Sequence, residues 1–150
     1  MNQMTKAIYF DMDGTIADLY AVDNWLPKLR AEDASPYAEA KPLVNLQALA
    51  HRLNALQKMG YHIGIISWLS KNSTANYDAK VTEAKIAWLK NHLASVHFNE
   101  VTIVKYGTPK SEAVAIKNGI LFDDEEKNRT EWVGTAYEPS EITATLAQLF

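Results

Sequence analysis

A chain of 150 residues, 47% apolar and 22% charged, is long enough to bury one substantial core and has the composition of an ordinary globular domain. Its net charge of −3 excludes an extended nucleic-acid surface and a polybasic membrane patch. The absence of cysteine excludes disulfides, a thiolate nucleophile and Cys-ligated zinc.

The start, Met1 to Lys6, lacks the apolar centre of a signal peptide, and no apolar run reaches the roughly 18–20 residues of a membrane span. A cytoplasmic protein is expected. The first predicted strand is Ala7-Ile8-Tyr9-Phe10, rich in residues that fit a packed, pleated surface. It stops at Asp11-Met12-Asp13-Gly14-Thr15, two carboxylates one residue apart and then a glycine suited to a sharp turn. Carboxylates at the end of a buried strand are costly unless paired, hydrogen-bonded or bound to a metal.

Residues 18–40 form the least regular stretch. Leu19, Val22, Leu26 and Leu29 keep a helical spacing that Pro27 is expected to interrupt or shift, and the residues around Pro36 suit a solvent-facing excursion. Pro42 is predicted to open a helix whose buried face carries Leu43, Leu46, Leu49, Leu53 and Leu56, with Gly60 as its stop. A second strand, His62 to Ile66, ends at Ser67. Polar residues then lead to a helix with Tyr77, Val81, Ala84, Trp88 and Leu89 on one face, ending near Leu93.

A third strand is predicted at Val101 to Val104. The turn Gly107-Thr108-Pro109 precedes a short helix from Lys110 that carries Val114 and closes at Gly119. Ile120-Leu121-Phe122 forms the fourth strand and runs into Asp123-Asp124. A weaker fifth strand is placed at Glu131 to Gly134, and Pro139-Ser140 starts a last helix with Ile142, Leu146 and Leu149 buried. Alternation of strand and helix predicts one α/β domain over 1–150, a Rossmann-like three-layer αβα sandwich with a mainly parallel sheet. In such sheets ligands bind beyond the carboxyl ends of the strands, which is where Asp11, Asp13, Ser67, Asp123 and Asp124 fall.

In order along the chain these features are an apolar strand ending in DxDGT, a strand ending in a hydroxyl, a lysine opening a helix, and a strand ending in paired acids. The arrangement resembles the haloacid dehalogenase-like hydrolase superfamily over nearly the whole chain, with a short cap-like insertion at about 18–41. A looser resemblance, through Lys85, Trp88, Leu93 and the adjacent acidic pair, is to the 5′(3′)-deoxyribonucleotidases, which carry larger caps.

The resemblance implies a Mg2+-dependent phosphatase that hydrolyses a phosphate monoester through an aspartyl-phosphate, with nucleotides among the expected substrates. Asp11 would be the nucleophile and Asp13 the general acid and base. The metal would be held by Asp11, the Asp13 backbone carbonyl, Asp123 and Asp124, either of the last two directly or through water. Ser67 and Lys110, favoured over Lys105, would bind the phosphate.

Trp68 is read evenly as a stacking surface for substrate or as packing beneath its loop, and Tyr20 and Lys71 as rim contacts. Asn128 and Arg129 are read as braces for the acidic loop, Glu125 and Glu126 as solvated charge. The four histidines show no metal-ligand spacing. Two alternatives stand beside a small phosphorylated substrate. One is a macromolecular phosphate, either a nucleic-acid 3′ end or a phosphoprotein. The other is a non-enzymatic receiver-like phospho-acceptor module, which uses similar residues but places its acidic pair on the first strand.

Overall fold

The computed structural model describes residues 6–150; Met1 to Thr5, the bulk of the stretch read as lacking a signal-peptide centre, lie outside the described residues. The central strand is β1 (Ala7–Phe10), flanked by β4 (His62–Trp68) and β6 (Ile120–Phe122), with β5 (Glu100–Val104) and β7 (Thr135–Tyr137) at the edges. All four pairings in this order, β5-β4-β1-β6-β7, are parallel. Strand order reverses at β1, so a crevice opens between the carboxyl ends of β1 and β6.

Both faces are covered, which explains why β1, β4 and β6 read as continuous apolar runs. Ile8 and Phe10 point to one face, where they meet Ile63, Ile65 and Phe122. That face is covered by α3 (Leu46–Lys58), the lower half of α4 (Ala75–His92) and α7 (Ile142–Ala147). Ala7 and Tyr9 point to the other face and pack with Ile66, Val114, Leu121 and Trp132, on the side of α5 (Lys110–Ala113) and α6 (Glu126–Glu131). The Tyr9 ring crosses β4 at Gly64, where an added Cβ would lie 2.7 Å from the ring. Only glycine allows that approach.

Between β1 and α3 the chain leaves the sheet. A two-residue antiparallel ribbon, β2 (Ala17–Asp18) with β3 (Lys41–Pro42), joins the two ends of this excursion. Within it lie α1 (Trp25–Arg30) and α2 (Ser35–Glu39). Leu19 and Tyr37 from the excursion bury themselves against Leu69 and against Tyr77 and Val81 of α4.

Three local expectations change. Pro42 does not open a helix; it lies in β3, and α3 starts at Leu46 because the Asn45 side chain accepts a hydrogen bond from Ala48 N at 3.0 Å. Leu43 is therefore exposed, while Leu46, Leu49, Leu53 and Leu56 are buried as their spacing indicates. Pro27 shifts its helix, as expected, rather than breaking it: α1 begins only two residues earlier, where first-turn N–H groups need no intrahelical partner. The helix from Lys110 ends at Ala113 rather than at Gly119, Val114 being extended though buried.

The largest correction is at Glu131 to Gly134, expected as a strand. Glu131 ends α6, Trp132 turns inward to donate from Nε1 to Gly119 O at 2.9 Å, and the strand is β7, at Thr135–Tyr137.

Candidate active site

The DxDGT segment turns tightly just past β1. Met12 O accepts hydrogen bonds from the N–H groups of Thr15, Ile16 and Ala17, and Gly14 adopts φ = 81°. A Cβ at Gly14 would collide with the Asp124 carboxylate, so glycine is required both by the turn and by the neighbour. The register Phe10↔Phe122 carries Asp11 alongside Asp123, with Asp11 N bonded to Phe122 O at 2.9 Å.

Asp11, Asp123 and Asp124 each offer an oxygen within 4.8 Å of the others. Lys110, buried at the start of α5, reaches between them, its Nζ 2.8 Å from Asp11 Oδ1 and 2.6 Å from Asp123 Oδ2. Thr15 Oγ1 donates to Asp11 Oδ2 at 3.0 Å, so both Asp11 carboxylate oxygens have a fixed direction. The lysine chosen over Lys105 is thus the one in the site; Lys105 is exposed.

Three carboxylates gather at one ammonium, and the surplus negative charge shows in the titration of Asp123 and Asp124. Burial first, then the facing Asp11, push the Asp123 carboxyl up to about 6. The same two causes push Asp124 up to about 8. Carboxylates held this close in a buried site resist ionising together unless a cation joins them. An all-oxygen donor set of this kind suits a hard divalent cation such as Mg2+. Asn128 and Arg129 brace the acidic loop as read from sequence: Asn128 Nδ2 donates to Asp123 Oδ2 at 3.2 Å and Arg129 Nη1 to Asp123 O at 3.0 Å.

Asp13 has a different environment. Its carboxylate is outside the acidic triad and accepts from Lys85 Nζ at 2.9 Å. Burial raises its pKa, opposed by the Lys85 charge and reinforced by Asp11. Ser67, buried near the end of β4, accepts from the same Lys85 Nζ at 2.7 Å, and Trp68 O accepts from it at 2.7 Å.

Lys85 is the site residue that reading the chain for polar strand ends misses. Its signal was present: Tyr77, Val81, Lys85 and Trp88 follow one another at helical spacing, so the lysine occupies a core position of α4. A charge there has to find partners.

Above these groups is a cleft of about 800 Å³, floored by Asp11, Asp13, Lys110, Asp123 and Asp124. Two aromatic pairs line it. Tyr20 and Trp25 come from the excursion, ring centres 5.0 Å apart; Trp68, the last residue of β4, and Tyr106, just past β5, have ring centres 4.8 Å apart. Trp68 Nε1 is tied to Thr108 O at 2.8 Å while the residue lines the cleft. Tyr20 and Lys71 also line it. No described helix is long and apolar enough to cross a membrane.

No family model matches the sequence, and no curated protein matches it. Solved structures do. A chain of the Pnkp1/Rnl/Hen1 complex superposes with a TM-score of 0.55 at 16% identity over 92% of this chain; the match spans only 47% of that longer chain. The D,D-heptose 1,7-bisphosphate phosphatase of Burkholderia thailandensis superposes with a TM-score of 0.51, also at 16% identity, covering 83% of this chain and 70% of the other. At this identity the likeness establishes the architecture: the chain has a Rossmann-like α/β fold, in line with the haloacid dehalogenase-like fold implied by its motifs.

Proposed function

We propose that the protein is a Mg2+-dependent phosphomonoesterase acting on small phosphorylated compounds, nucleotides among them. The observation that carries this reading is the convergence of Asp11, Asp13, Ser67, Lys110, Asp123 and Asp124, from three separated parts of the chain, at one end of the sheet. The solved phosphatase that shares the fold supports it.

The metal would be held by Asp11, Asp123, Asp124 and the Asp13 backbone carbonyl. When bound, Mg2+ offsets the repulsion between an anionic nucleophile and an anionic phosphate. An Asp11 oxygen forms a bond to phosphorus as the bond to the leaving oxygen breaks with its electron pair. Asp13, whose pKa burial raises, passes its proton to that oxygen. Asp13 then takes a proton from water as the water attacks the aspartyl-phosphate, releasing inorganic phosphate and restoring Asp11. Ser67 and Lys110 hold the non-bridging oxygens.

The aromatic pairs Tyr20–Trp25 and Trp68–Tyr106 suit a leaving group with a flat ring, such as a nucleobase. Purified protein is assayed on aryl phosphates, mononucleotides, phosphorylated oligonucleotides and phosphopeptides, with Mg2+ and then with chelator. Turnover of mononucleotides that depends on Mg2+ and vanishes in Asp11→Asn is the expected result. Full activity in Asp11→Asn would remove the nucleophile assignment. Preference for the oligonucleotide or the peptide would favour a macromolecular phosphate, and stable phosphorylation without turnover would favour a receiver-like module.

A further inference from the structure

Lys85 is a buried cation 1% exposed, and the reaction just described gives it no part. It lies on α4, away from the acidic triad and its lysine. The ammonium has three N–H donors and no acceptor. All three find an oxygen: Asp13 Oδ2 at 2.9 Å, Ser67 Oγ at 2.7 Å and Trp68 O at 2.7 Å. Its remaining side is covered by the Tyr37 ring of α2, whose centre lies 5.0 Å from Nζ. A lysine so occupied has no donor left for a phosphate.

Each of its first two contacts has a directional consequence. A serine hydroxyl that accepts from an ammonium keeps its own O–H free to donate elsewhere. The contact at Oδ2 leaves Asp13 Oδ1 free. Asp13 lines the cleft floor and Ser67 precedes Trp68, which lines it too, so these are the groups left for what binds there.

We propose that Lys85 is a positioning residue: by holding Asp13 Oδ2 and Ser67 Oγ it fixes the direction of both side chains, leaving Asp13 Oδ1 for the leaving oxygen and the Ser67 O–H for a phosphate oxygen. The inference rests on the phosphomonoesterase reading, and the two fail differently: absence of Mg2+-dependent turnover in the unaltered protein removes that reading, whereas only the pattern below bears on Lys85.

The test compares Lys85→Met with the unaltered protein on two substrates, 4-nitrophenyl phosphate, whose leaving group needs little protonation, and an alkyl phosphate, whose leaving group needs it fully. Loss of the aimed proton lowers kcat for the alkyl ester by roughly 100-fold and for the aryl ester by roughly tenfold or less. KM for both rises by no more than about threefold, since Lys85 itself touches no phosphate oxygen and Ser67 keeps its O–H. Lys85→Gln, which restores a side-chain N–H, recovers part of the alkyl activity. Equal losses on the two esters, or a raised KM with kcat kept, would overturn the proposal. So would failure of both variants to fold, checked by far-UV circular dichroism and thermal unfolding, since Lys85 would then be a purely structural residue.

Discussion

The same sheet holds two buried polar clusters, and they are built on opposite principles. On the α5 face, near the amino ends of β4 and β5, Glu100 accepts from Tyr9 OH at 2.6 Å, His62 Nε2 at 2.8 Å, Ala115 N at 3.2 Å and Thr102 Oγ1 at 3.3 Å. Burial alone would raise the Glu100 carboxyl, but the donors from Tyr9 and His62 outweigh it and the net shift is downward. At the carboxyl ends, Asp11, Asp123 and Asp124 share a single lysine, and the shifts of Asp123 and Asp124 are upward. A cluster in which every charge is matched holds a fold together; one left with surplus charge is set up for something yet to arrive.

The sharpest way to separate the two is by activity. Asp11→Asn should lower phosphomonoester turnover by roughly 10³-fold or more while the thermal transition survives, measured by steady-state assay beside calorimetry. Glu100→Ala should do the reverse. It leaves Tyr9 OH and His62 without their acceptor and costs about 1–3 kcal/mol in denaturant unfolding, with turnover per folded molecule unchanged. If Glu100→Ala abolished turnover without destabilising the protein, the division between the clusters would be wrong.

Their pH responses should also oppose each other. Asp123 and Asp124 bind protons more tightly folded than unfolded, so in metal-free protein stability falls as pH rises from about 4 through about 6 to about 8. Glu100, with a lowered folded pKa, contributes stability that is complete above its unfolded value of about 4.3 and lost as pH falls through its folded value. Thermal unfolding of the metal-free protein should therefore decline between pH 5 and 8.5. Mg2+ should restore it, and by more at the higher pH, where protons no longer compete. Asp124→Asn should raise the metal-free midpoint at pH 8.5 by relieving repulsion, and should cost activity. The smallest effect is expected at exposed Lys105: Lys105→Ala should change stability by no more than about 0.5 kcal/mol and leave turnover intact.

Much of this arrangement was legible in the sequence, for physical reasons that differ by element. The strands β1, β4 and β6 are covered on both faces, so they appear as apolar runs, and the polar residues that end them stand out. The edge strand β7 is only Thr-Ala-Tyr, half-buried and weakly apolar, whereas the neighbouring Trp132 and Val133 look strand-like; Trp132 is in fact a core residue past the end of a helix and Val133 is exposed. Pro42 looked like a helix opener because nothing local distinguishes that role from a two-residue ribbon whose partner, Ala17, lies 25 positions earlier. Lys85 is singled out in the sequence only as a mark of resemblance and not as a site residue, because a lysine on a helix is by default taken as solvated, while its place on the Tyr77–Trp88 stripe argues otherwise.

The ribbon of β2 and β3 has an evolutionary consequence. By clasping Ala17 to Pro42 and Asp18 to Lys41, it joins the two ends of the excursion outside the main sheet. Loop-closure cost rises only with the logarithm of length, about 0.6 kcal/mol per doubling, so a longer or shorter segment inserted between the clasped residues would disturb the β1–α3 connection little. Chain can be gained or lost there so long as Leu19 and Tyr37, which anchor the excursion to Leu69 and α4, are kept.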